Sequence, residues 1–140
     1  MADAQHWLLL IHQLPPEPAY LRVKVSRRLQ RVGAVLLKNS VYVLPDGDES
    51  REHFAWIRQE IAAEGGEASV CEARLLAGLD DEQMKLHFRT ARENDYRNLL
   101  EEARALPKDG MGLEPAGRLR KELARLRKRM ADVQALDFFA

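Results

Sequence analysis

Lys24, Arg27, Arg28 and Arg31 recur at i, i+3, i+4 and i+7, the spacing that sets four cations on one face of a helix. Such a stripe covers about two turns, roughly 10 Å, enough to follow two or three phosphates. Guanidinium forks can hold phosphates, read guanine edges or grip a tetrahedral oxyanion. The plain alternative is a solvated face, since Arg and Lys occupy exposed helical positions for propensity alone. The lack of acids at i±4 on this helix counts against that alternative, because an idle face normally mixes signs. Arg22 and Lys38 extend the basic segment on either side.

Other side chains offer less chemistry. His6, His12, His53 and His87 are scattered, and none forms a CxxC, HxxxH or HExxH set with its neighbours. No protein-only metal site is expected from ligand spacing. Cys71 falls in a strand pattern and reads as a small packing residue rather than a nucleophile. The Gly-rich phosphate loops and the GxSxG elbow are absent. Asp80, Asp81 and Glu82 cluster where a helix begins, a place the helix dipole favours for acids anyway. Neither a catalytic residue nor a cofactor is expected.

The chain has 140 residues and a formal net charge of zero, with 46% hydrophobic and 31% charged residues. That is the composition of one soluble globular protein. Its apolar runs are too short to span a bilayer, and MADAQH lacks the features of a signal peptide. A lone cysteine fits a reducing cytoplasm. The neutrality hides blocks of charge. Glu17 to Lys38 holds six bases and one acid, and Arg118 to Arg129 holds seven bases against Glu122. Asp46 to Ala103 holds fifteen acids and seven bases. Two separated parts of the chain can therefore face an anion.

The elements that must position these residues follow from hydrophobic period. WLLLI (residues 7–11), closed by His12-Gln13-Leu14-Pro15-Pro16, predicts a buried central strand. Leu21, Val25, Leu29 and Val32 then form the dry face of the basic helix, which Gly33 ends. AVLLKNSVYVLP predicts two short strands or one bent strand around Lys38-Asn39-Ser40. Asp48 and Ser50 are N-cap candidates for a helix to about Glu64, with Phe54, Ile57 and Ile61 inward and Gly65-Gly66 at its end. ASVCEARLL (68–76) predicts a further strand.

The order β-α-β-β-α-β is that of a ferredoxin-like fold. Asp80 with Gln83 reads as a capping box for a long helix to about Leu106. Pro107 to Pro115 reads as a turn. In the last helix Leu119, Leu123, Leu126, Met130 and Val133 repeat at 4, 3, 4, 3, an a/d seam. The expected class is α+β: a ferredoxin-like βαββαβ core over 1–78, then an antiparallel helical hairpin over 79–140 packed on it as a single structural unit. Phe88, Leu99, Ala103 and Leu106 are available to the seam.

Two resemblances attach to these segments. LLLIHQL, a basic helix ending in VG, and AVLLKNSVYVL are similar to the small ferredoxin-like CRISPR adaptation nucleases. In that family an aspartate ends the first strand as a metal ligand. Here Ser40-Val41-Tyr42 matches the family's strand-pair run, but His12-Gln13 stands where the acid would be. An amide is a poor substitute for a carboxylate toward a hard cation, so a metal-dependent nuclease is the third choice.

A fuller resemblance covers almost the whole chain. WLLLIHQLPPEPAYLRVKVSRRLQRVGAVLLKNSVYVLP, then FRTARENDYRNLLEEA and RLRKELARLRKRMADVQALDFF, looks like the N-terminal domain of the ChrB-type chromate-resistance regulators. The resemblance implies a regulator of a chromate-efflux operon whose N-terminal part contacts DNA. The second domain of those proteins, credited with sensing chromate, has no counterpart before Ala140. A stand-alone homologue or a separately encoded C-terminal-type ChrB partner is therefore expected.

With the resemblance, the reading is a non-enzymatic, cytoplasmic, DNA-binding regulatory module that forms a homodimer and does not engage membranes. Its nucleic-acid-binding residues are Arg22, Lys24, Arg27, Arg28, Arg31 and Lys38. Its partner interface is Leu119, Leu123, Leu126, Met130, Phe138 and Phe139. The alternative is a protein–protein interaction or dimerisation module that meets the chromate-sensing partner without touching DNA.

Overall fold

A computed structural model describes residues 4–106 and 116–140. The predicted turn at 107–115 lies outside them. The elements are β1 (Trp7–Gln13), α1 (Tyr20–Arg31), β2 (Val35–Lys38), β3 (Val41–Pro45), α2 (Asp48–Ala63), β4 (Glu67–Ala73), α3 (Asp81–Arg104) and α4 (Ala116–Ala135). The chain divides into two compact units, residues 1–88 and 89–140, and the division falls inside α3.

In the first unit the four strands form one antiparallel sheet in the order β2-β3-β1-β4. The most apolar run, β1, is central as its composition demands. Leu10 stands opposite Tyr42 and Val70, and Leu9 opposite Val43 and Cys71. One face, carrying Leu8, Leu10 and Leu44, closes over Leu21, Val25 and Leu29 of α1 and Phe54, Ile57 and Ile61 of α2. The helical period is thus spent on this core, and the remaining faces of both helices are left to water. On the other face Trp7 is fully buried and stacks on Phe88 at 5.7 Å. Phe88, which the sequence offered to the helical seam, belongs to this stack instead.

Local details follow the chemistry of the turns. Gly33 ends α1 at φ 84°, with Ala34 N–H donating to Leu29 O. Asn39 takes φ 30° between β2 and β3, a left-handed turn position that Asn tolerates. A register shift between Leu36 and Lys38 marks a β-bulge. One expectation is corrected: the N-cap of α2 is Gly47, without a side-chain cap, and Asp48 lies in the first turn beside Glu49. Both acids there act on the helix dipole rather than as caps.

In the second unit the cross-links between α3 and the residues of α4 and the C-terminus run in opposite senses. Glu102 pairs with Arg129, Tyr96 O–H donates to Asp137 Oδ2 at 2.8 Å, and Arg89 Nε donates to Phe139 O at 3.1 Å. Leu99 and Leu126 are buried. Arg92 is buried too, with Nη1 3.4 Å from Leu136 O and Nε 3.1 Å from Asp95 Oδ2. No helix among the described residues is long and apolar enough to cross a membrane.

Candidate functional site

The dry face of α1 points its basic face outward, and α2 lies beside it on the same side of the sheet. This neighbour changes the charge balance of the stripe. Lys24 Nζ is 3.3 Å from Glu64 Oε1, and Arg28 Nη1 is 3.3 Å from Glu60 Oε1. The stripe is therefore not one-signed in space. The acids missing at i±4 on α1 come from the adjacent helix, where spacing along α1 could not reveal them. Arg22, Arg27 and Arg31 are exposed and have no ion-pair partner among the described residues.

Two open grooves share Arg28 and Arg31. The first, about 490 Å³, is lined by Tyr20, Val23, Lys24 and Arg27 together with that pair. The second, about 510 Å³, adds Val32, His53, Trp56 and Glu60. Lys24, Arg27, Arg28 and Arg31 thus come together, whereas Arg22 and Lys38 line neither groove. Tyr20 is 62% exposed and Trp56 64% exposed, so each groove carries one accessible aromatic ring. Trp56 was discoverable in principle: it sits two residues from Phe54, off the inward face, where an apolar ring has no core to enter.

A second cluster joins residues far apart in sequence. Donor atoms of His6, Asp46 and Glu72 lie within 4.8 Å of one another. The pairing of Trp7 with Pro45 and with Ala73 brings them to one end of the sheet. Arg51 holds Asp46 by two parallel hydrogen bonds, Nε at 2.8 Å and Nη2 at 2.9 Å, and its Nη2 lies 3.4 Å from Glu72 Oε2. His6 Nδ1 is 3.0 Å from Glu72 Oε1. The Arg51 hydrogen bonds hold the Asp46 carboxyl below the usual carboxylate range, and Asp46 in turn raises Arg51. The guanidinium thus supplies the charge a cation would, and a metal would have to displace it. No local ligand spacing announces this set, because its members lie on three separate segments of the chain.

The predicted partner residues lie on the second unit. Leu126 is buried, Leu119 and Phe139 are half-buried, and Leu123, Met130 and Phe138 are 37–39% exposed. Phe138 and Phe139 meet edge to face at 6.4 Å.

A family model described as "Protein ChrB, N-terminal" matches residues 22–109. The matched stretch contains all six basic residues assigned to nucleic acid, and Trp56 as well. No curated protein and no solved structure gives a significant match.

Proposed function

From the premise that this chain belongs to the ChrB N-terminal family, we propose that it is a non-enzymatic, cytoplasmic regulatory module of chromate resistance that binds DNA through α1. The observation that carries this reading is the exposed Arg27–Arg31 pair, without counter-charges among the described residues, flanking Arg28 along one groove. Arginines at that spacing supply affinity and register on a phosphate backbone. Arg22 and Lys38 add charge outside the groove. The operator of a chromate-efflux operon is the proposed target.

The same reading includes the fold name and the assembly. The sheet order β2-β3-β1-β4 with a β-α-β-β-α-β element order supports a ferredoxin-like core. The opposed cross-links of the second unit support an antiparallel hairpin. A homodimer through Leu123, Met130 and Phe138 is proposed from their exposure. Those residues also favour the second reading, a module that meets a separately encoded chromate-sensing domain without contacting DNA. A nuclease is the weakest reading, because Gln13 ends β1 where the related nucleases carry an acid.

The test is anisotropy of labelled promoter duplex from the neighbouring operon at two salt concentrations. The two arginines without counter-charges among the described residues, Arg27 and Arg31, predict about a 12-fold loss of affinity between about 50 and about 200 mM salt. The Arg27→Ala/Arg28→Ala/Arg31→Ala variant loses most of the binding. A folded triple variant that binds normally rejects α1 as the contact and leaves the partner-module reading.

A further inference from the structure

A duplex turns its phosphates outward and hides the faces of its bases, so a basic helix suffices to hold it. The site offers something more. Trp56 presents 64% of its surface to water at the rim of the groove that Arg28 and Arg31 also line. Tyr20 does the same in the adjoining groove, which the same two arginines share. Indole and phenol rings exposed beside arginines present open π-faces on which a planar partner can stack. Successive bases of an unpaired strand have such faces, and backbone charge between them falls to the arginines. Each groove, at about 490 and 510 Å³, is within the size range of pockets that take small planar ligands.

We propose that the α1/α2 grooves bind single-stranded or locally unpaired nucleic acid, with Arg28 and Arg31 on the phosphates and Trp56 stacking on a base. This rests on the nucleic-acid reading above and narrows its substrate. Glu60 and Glu64 weaken the field that any phosphate backbone meets at this site, so stacking on the open aromatic faces adds affinity that charge alone does not supply.

The chain carries its own reporter. It has two tryptophans, and Trp7 is fully buried against Phe88, so a ligand-induced change in emission reads Trp56. The wild-type chain and Trp56→Ala are titrated with labelled oligothymidylate, the corresponding labelled dA·dT duplex and labelled heparin as a purely charged polymer, all at one salt concentration. Anisotropy of the label gives the affinities of both proteins, and Trp56 emission is followed in the wild type. The expected result is quenching by oligothymidylate but not heparin, tighter binding of the single strand than of the duplex, and at least about a fivefold loss for the single strand in Trp56→Ala. Duplex affinity in that variant stays within about twofold, because only stacking is removed.

Normal oligothymidylate binding by folded Trp56→Ala, or equal quenching by heparin, overturns the stacking proposal. If duplex binding then still depends on Arg27, Arg28 and Arg31, the phosphate reading survives without it. Failure of the wild-type chain to bind oligothymidylate overturns the stacking proposal, while the phosphate reading stands or falls on the promoter-duplex titration. A Trp56→Ala variant that keeps its nucleic-acid affinities but loses self-association places the indole at a protein interface and overturns the proposal equally.

Discussion

Arg28 of α1 reaches Glu60 of α2 at 3.3 Å, and one turn away Lys24 reaches Glu64 at the same distance. Both pairs are only partly shielded, so each contributes little to stability, about 0–1 kcal/mol. Their larger effect is on binding, because a carboxylate beside each cation competes with phosphate. Glu60→Gln with Glu64→Gln therefore strengthens duplex binding at low salt. It also steepens the salt dependence by about 1.8 in log–log slope if both freed cations reach phosphates. Anisotropy titrations across salt measure both quantities. An unchanged slope in the double variant would remove Lys24 and Arg28 from the contact and leave Arg27 and Arg31.

Gly66, between α2 and β4, has a purely steric role. A Cβ there would lie 2.8 Å from the Gln13 carbonyl oxygen and 2.8 Å from Ile61 Cγ2. The first is backbone of the central strand and the second belongs to a fully buried side chain, so neither yields cheaply. Gly66→Ala is expected to cost about 1–3 kcal/mol by overpacking. Gly117 meets nothing within 4 Å and lies in the first turn of α4, so Gly117→Ala is expected to stabilise slightly, by up to about 0.5 kcal/mol. Urea midpoints for the two variants should move in opposite directions.

These contrasts mark what a linear sequence can show. The start of α3 is legible because its reasons are local: Asp80 N–H donates to Gln83 Oε1 at 3.0 Å, and Gln83 N–H donates to Asp80 Oδ1 at 2.8 Å. The inward faces of α1 and α2 and the centrality of β1 are legible for the same reason, since period and run length are properties of short windows. The Glu60–Arg28 pair is not, because it depends on which helix lies beside α1. Neither is the His6–Asp46–Glu72–Arg51 cluster, which exists only once β1 is registered against both β3 and β4. The basic stripe could be read from sequence, but its electrostatic strength could not.

The seam of α4 separates burial from association. Leu126 is 8% exposed, whereas Leu123 and Met130 are 37% and 39% exposed. Leu126→Ala is expected to cost about 2–4 kcal/mol by opening a cavity. Leu123→Gln with Met130→Gln leaves the unit folded. If the chain dimerises through this face, sedimentation equilibrium should show that double variant as monomer at concentrations where wild type is dimer. Identical self-association of the two proteins places the dimer contact elsewhere.

Acid should unfold the first unit by a route that two carboxylates define. Asp81 accepts Trp7 Nε1–H at 2.9 Å and the Gln5 backbone N–H at 3.0 Å, and these bonds, the Trp7 bond foremost, hold its acid below the ordinary value. Asp46 is held low in the same direction, chiefly by the Arg51 hydrogen bonds. A carboxyl with a lower pKa folded than unfolded gives stability that is fully present above the unfolded value, about 3.9, and lost as pH falls through the folded value. The urea midpoint is therefore flat between about pH 7 and 5 as far as these groups contribute, and it drops below about pH 4. Asp81→Asn keeps an acceptor for the indole but removes its charge, at a cost of about 1–3 kcal/mol at neutral pH. It also makes the acid limb shallower, because one proton-linked group is gone. A midpoint that rises on acidification, or an Asp81→Asn limb as steep as that of wild type, would show that the Trp7–Asp81 bond does not couple folding to pH.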